Sequence, residues 1–206
     1  MDINQLAEFL PKEAITRITD LACATFQKVT YPLTATTAGI GLLIETKFEV
    51  LNEIQKVLAA KAIEKVKEKV EHANRHTSES IKPQIYYIAL ECADTFVDRV
   101  QEEVWANVLA RETVLGEIHP EIARLLSMLT TADLMLLNDI AMNQEKSSFS
   151  RILATFKKDQ SALTPVRKSF NHFYLSELGL IAHEENQWMT TYSGVELLYS
   201  IEPLNS

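Results

Sequence analysis

The sequence predicts a mainly α fold: a multi-helix domain with a long amphipathic helix in its first half and a small β-hairpin near its carboxy terminus. Three observations predict it. The 206 residues include only 5 Gly and 6 Pro, too few turn formers for an all-β chain of this length. Apolar residues recur every three or four positions over most of the chain, the period of one helix face. The pattern changes only near the end. There Gly179-Leu180-Ile181, the polar turn His183–Gln187 and Trp188–Thr190 read as strand, turn and strand. Apolar residues make up 47% of the chain, the share of a packed globular protein rather than a disordered one.

The first half reads as four helical patterns. Asp2–Leu10 is a short leading helix, and Pro11 fits the first turn of the next. Glu13–Val29 carries Ile15, Ile18, Ala22 and Phe26 on one face. Tyr31-Pro32 marks a boundary, because a residue before proline is pushed out of the α region. Leu33–Ile44 is uncharged and holds Gly39 and Gly41. It reads as a helix that packs closely through its small face, with insertion into a membrane as the alternative; it is too short to span one. Glu45–Arg75 reads as one long amphipathic helix, with Phe48, Leu51, Ile54, Leu58, Ala62, Val66 and Val70 on its apolar stripe. Its Glu and Lys residues read as a solvated face; a homo-oligomer through the same helix is the alternative, although the spacing is not a strict heptad. His72 and His76 share a helix side, but no third zinc ligand accompanies them, so no metal site is expected.

Asn74–Ser80 reads as a connecting loop. The chain therefore divides into residues 1–80, with the long helix, and residues 81–206, the two packed as one unit. Gln84–Cys92 is nearly all apolar and reads as buried. Asp94 or Thr95 is the expected cap of the following helix. Glu91, Asp94, Asp98 and Glu102 fall at helical spacing and read as a solvent-facing acidic stripe. Cys23 and Cys92 occupy apolar positions and read as buried free thiols.

Val97–Ile140 is the densest apolar region. Val97, Val100, Val104, Val108 and Leu115 form one stripe, with Trp105 and Leu109 beside it. Asn107 stands inside that stripe, and a buried amide needs hydrogen-bond partners. Gly116 ends this helix. His119-Pro120 begins another, with Pro120 at its first position and the His119 imidazole expected to brace the turn against Asn107 or Trp105. Trp105, Asn107, His119 and Pro120 thus read as a structural motif that sets helix–helix geometry. Thr130 and Asp133 have the spacing of a capping box, and Leu134, Leu137 and Ile140 continue the core.

These residues carry a resemblance. EEVWANVLA, followed by HPEIARLLSMLTTADLMLL, resembles the Abi-alpha (abortive infection alpha) family of bacterial phage-defence-associated proteins. The likeness lies in Trp105-Ala106-Asn107-Val108-Leu109, in His119-Pro120, and in Leu129-Thr130-Thr131-Ala132-Asp133 leading to Leu137. The chain departs from the family pattern at Val108, where Leu is usual, and at Asp133, where Glu is usual. The order of helix Val166–Leu178, Gly-Leu-Ile, turn, short strand and a Thr191-capped helix is similar to the end of that pattern. It is also similar to the end of a winged-helix module. The matches cover Gln84–Ile201. The resemblance implies a part in limiting phage infection and brings no catalytic motif.

No Gly-rich phosphate loop, zinc motif or nucleophile elbow occurs. No catalytic residue, cofactor or metal is therefore expected, and the chain is not read as an enzyme. The net charge of −8 and pI near 5.2 repel phosphate backbones, so nucleic acid is disfavoured as a partner. No secretory signal opens the chain and no run reaches the ~18 apolar residues of a spanning helix, so a cytoplasmic location is the default. The expected activity is interaction with a host or phage protein. The rival is a DNA-binding regulator. Arg151–Lys168 holds five basic residues, Arg151, Lys157, Lys158, Arg167 and Lys168, against one acid, Asp159. In that reading Arg167 and Lys168 touch phosphate, while Asn171 and His172 read bases. Phe170, Phe173, Tyr174 and Leu178 count against it, because they read as core. Membrane perturbation through Leu33–Ile44 is the third reading.

Overall fold

The computed structural model describes residues 46–73, 78, 80–143, 165–184 and 187–204, with the side chains of 165–169 and 184 outside that description. The expectations for residues 1–45, including Cys23 and the Leu33–Ile44 segment, lie outside the described residues. So do those for His76, Arg151, Lys157, Lys158 and Asp159. What is described is mainly helical with one antiparallel two-stranded hairpin. It forms two compact units, one running through Ala123 and resuming at Pro203, the other spanning Arg124–Glu202.

In the first unit, α1 (Glu53–Ala73) packs along α3 (Arg99–Leu115). Ala59, Ala62, Ile63 and Val66 form the buried stripe of α1. Its alanines let the two backbones approach, and Val104, Val108 and Leu109 of α3 are buried. Between them in sequence lie α2 (Pro83–Glu91) and a 3-10 helix, Ala93–Val97. Ile85, Tyr86, Ala89 and Leu90 of α2 are buried, while Tyr87 is not. Trp105 is fully buried and its ring lies 6.5 Å from that of Phe96. Gly116 ends α3 in the left-handed conformation, φ 66°. That conformation is strained for a residue with a side chain.

Three expectations need correcting here. The Glu45–Arg75 helix is not continuous: a turn at residues 46–49 is followed by a break at 50–52 before α1 begins. The reason is a reciprocal cap. Asn52 Oδ1 accepts the Gln55 N–H at 2.9 Å, and Gln55 Oε1 accepts the Asn52 N–H at 3.1 Å, which satisfies two amides at a new helix start. The cap of α3 is Asp98, not Asp94 or Thr95; its carboxylate accepts the Val100 N–H at 2.8 Å. The acidic stripe does not form either, since Glu91, Asp94, Asp98 and Glu102 do not share one helix. Glu102 is buried, and Lys61 and Lys65 of α1 pair with it at 3.3 and 3.2 Å.

α4 (Pro120–Ser127) runs across the division between the units. The second unit continues with α5 (Thr131–Asn143), α6 (Pro165–Glu177), β1 (Ile181–Glu184), β2 (Gln187–Thr190) and α7 (Tyr192–Ser200). The hairpin pairs Ile181 with Thr190 and His183 with Trp188. Leu134, Leu137, Leu175, Leu180, Ile181, Leu197 and Leu198 are its core. The capping box before α5 is present: Asp133 accepts the Thr130 N–H at 2.9 Å and donates its own N–H to Thr130 Oγ1 at 3.3 Å. Thr191 caps α7 by accepting the Gly194 N–H, and it ties back by donating to the Gly179 carbonyl at 2.6 Å. Among the described residues no single helix is long and apolar enough to cross a membrane.

Candidate functional site

The most exposed large apolar groups of the second unit lie on its last two helices, those of α6 beside the hairpin. Along α6, Leu175 faces the core and the Tyr174 hydroxyl donates to the Met128 carbonyl at 2.9 Å. Those contacts fix the rotation of the helix about its axis. Phe170, Phe173 and Glu177, spaced three and four apart, are then left on the outer side. Phe170 is 71% exposed and Phe173 62%. This overturns the expectation that Phe170 and Phe173 serve the core; Leu175 and the inner edge of Tyr174 serve it instead.

The rings form two groups, Phe170 with Tyr174 and a cluster around Trp188. Phe170 stacks on Tyr174 with planes 5° apart and centroids 6.4 Å apart. Phe173 meets Trp188 of β2 edge-on, 88° and 5.9 Å. Two imidazoles flank the same indole: His172 at 5.2 Å and His183, its cross-strand partner, at 4.8 Å. Edge-to-face and offset contacts of this kind each stabilise by about 0.5–1.5 kcal/mol beyond burial, so the surface is held in shape while its outer faces stay open. Glu177 ends α6 and is exposed. A surface of large apolar rings of this sort marks a binding face more often than chance exposure.

The sequence-predicted residues fall as follows. Arg167 and Lys168 lie in the first turn of α6, with their side chains outside the description. Asn171 and His172 are half-buried, and His172 lies against Trp188. Trp105 and Asn107 are core residues of α3. Pro120 is the first residue of α4. His119 is exposed, and its Nδ1 accepts the Glu121 N–H at 3.2 Å. It therefore caps its own helix, and the four residues expected to act together do not converge.

The polar clasp of this region is one the sequence reasoning missed. Glu112, fully buried in α3, accepts the Lys82 N–H at 2.6 Å and the Ile118 N–H at 3.0 Å. The Lys82 ammonium lies 3.6 Å away and also donates to the Gly116 carbonyl. Nearby, the buried Tyr86 hydroxyl bonds Thr113 Oγ1. Burial pushes the Glu112 carboxyl above its usual range against the pull of these donors.

A second candidate is a cleft of about 340 Å³ in the first unit, lined in part by Lys65, Lys69, His72, Glu103 and Asn107. Three of its charges match one another. Glu103 pairs with both Lys69 and Lys65. Burial raises the Glu103 carboxyl, but the two ammonium groups outweigh it and hold the group below its usual range. Among the described residues no group of three His, Cys, Asp or Glu side chains is placed to hold a metal. Cys92 is half-buried. No family model, no curated protein and no solved structure matches the chain.

Proposed function

We propose that the chain is a bacterial phage-defence protein of the abortive-infection type, resembling the Abi-alpha family, that acts by binding a host or phage protein. The observation that carries this reading is the open aromatic surface of α6 and β2, with Phe170 and Phe173 exposed at 71% and 62%. Aromatic side chains are enriched in the centres of protein interfaces, where they bury much area with few rotatable bonds. The defence setting comes from the resemblance of the Trp105–Leu109 and His119–Leu137 segments.

The test is plating of a broad phage panel, with host survival, in cells with and without the gene. Protection is expected, and Phe170→Ala with Phe173→Ala should remove it. Unchanged plating across the panel would sink the reading. A duplex-DNA reader is the second reading, favoured by the helix–hairpin–helix order from α6 to α7 and by Arg167 and Lys168 in the first turn of α6. It requires a duplex mobility shift that weakens steeply with salt and is lost on Arg167→Glu with Lys168→Glu.

A further inference from the structure

Lys47 shows how this chain grips a cation. Its ammonium lies 4.5 Å from the centre of the Tyr87 ring and 2.9 Å from Glu91 Oε1. Tyr87 and Glu91 are four residues apart on α2, so ring and carboxylate stand on one face, a turn apart. The ring attracts the cation through its quadrupole and the carboxylate through its charge. The hydrogen bond to Glu91 raises the Lys47 pKa accordingly.

The same spacing recurs on α6. Phe173 and Glu177 are four apart and both exposed. Among the described residues no lysine or arginine pairs with Glu177. Phe170 offers a further ring one turn earlier, and Trp188 meets Phe173 from the hairpin. Resting on the interaction reading above, we propose that Phe173, Trp188 and Glu177 dock a lysine- or arginine-bearing segment of the partner protein. The rings take the face of the cation and Glu177 pairs with it.

Three arguments select this occupant. A wholly apolar partner would bury Glu177 without a counter-charge, which is unfavourable. A nucleic acid would set phosphates against Glu177 and against a chain of net charge −8. A basic segment is attracted by both the local carboxylate and the overall field, which favours its encounter. Of these three, only the basic segment suits the rings and the carboxylate together.

The full chain is titrated with a fluorescein-labelled peptide of alternating glycine with lysine and arginine, and binding is read by anisotropy. Saturable binding that weakens with added salt is expected. Glu177→Gln and Phe173→Leu should each weaken it roughly two- to fivefold. Glu64→Gln, which removes the same charge from exposed α1, should leave it unchanged. A peptide with norleucine for lysine and citrulline for arginine should bind far less. Equal binding of the uncharged peptide, equal binding by Glu177→Gln and Phe173→Leu, or tighter binding of an oligothymidine strand each overturns the proposal. If basic peptides fail while Phe170→Ala with Phe173→Ala still removes phage protection, the partner chemistry is wrong and the interaction reading stands.

Discussion

Glu112 and Glu103 sit on the same helix, and their surroundings move them in opposite directions. Glu112 serves two backbone donors, one on each oxygen. An amide in its place has one acceptor oxygen and turns an NH₂ group toward the other N–H. Glu112→Gln should therefore destabilise the first unit by about 1–3 kcal/mol, the range for a buried donor left unsatisfied; urea unfolding measures it, and an unchanged midpoint would contradict the clasp. Glu103 tests the ion pairs between α1 and α3. Its carboxyl is held below 4.5 by Lys69 and Lys65, against burial. A carboxylate with a lowered folded pKa contributes stability that is fully present above its unfolded value and is lost as pH falls through the folded value. Glu103→Gln should thus lower the melting temperature at pH 7, and the gap to the parent should close below about pH 4.5. A gap that stays constant down to pH 3 would mean the ion pairs contribute nothing. Glu112 has the reverse sign, since its raised pKa makes its contribution fall as pH rises above 4.5.

At the scale of elements, two glycines are held for different reasons. Gly194 lies in α7, where an added Cβ would sit 2.2 Å from the Leu180 carbonyl oxygen and 2.7 Å from Thr190 Cγ2. The helix approaches the start of β1 so closely that backbone must shift. Gly179 has open space around it but a φ of 71°. Gly194→Ala should therefore destabilise by about 1–3 kcal/mol through overpacking, and Gly179→Ala by about 1 kcal/mol through backbone strain. Thermal melts of both variants decide the order; Gly194→Ala matching the parent would mean α7 does not pack as described. The capping motifs explain what was legible in the sequence. Thr130–Asp133, Thr191, Gly116 and His119-Pro120 act within four residues of themselves, so their spacing alone identifies them. The Asn52–Gln55 cap is just as local, but the apolar stripe runs on through Leu51 and Ile54 and hides the break. Glu102 was not legible because its burial depends on Lys61 and Lys65, some forty residues away. Phe170 and Phe173 were misplaced for a third reason. Phenylalanine spacing gives a helix face but not which face turns inward, and Leu175 with Tyr174 decides that.

At the scale of the whole molecule, the aromatic surface can be tested apart from the fold. Phe170 and Phe173 are more than half exposed, so truncating them removes little buried area. Phe170→Ala with Phe173→Ala should cost about 1–3 kcal/mol, the loss of one ring contact at each site, with only the small further change typical of a surface position. Leu175→Ala, one turn away on the buried side of α6, should cost about 2–5 kcal/mol by leaving a cavity. The two variants therefore make opposite predictions in paired assays. If the surface binds a partner, the double alanine variant loses phage protection at both growth temperatures, beyond what its smaller loss of stability accounts for. Leu175→Ala should lose protection only in proportion to the folded protein it forfeits, and recover it at lower growth temperature. If both variants lose protection in step with stability, the rings serve the fold alone. Measuring both at two temperatures tells these outcomes apart, because a missing contact is not restored by cooling and a destabilised core is.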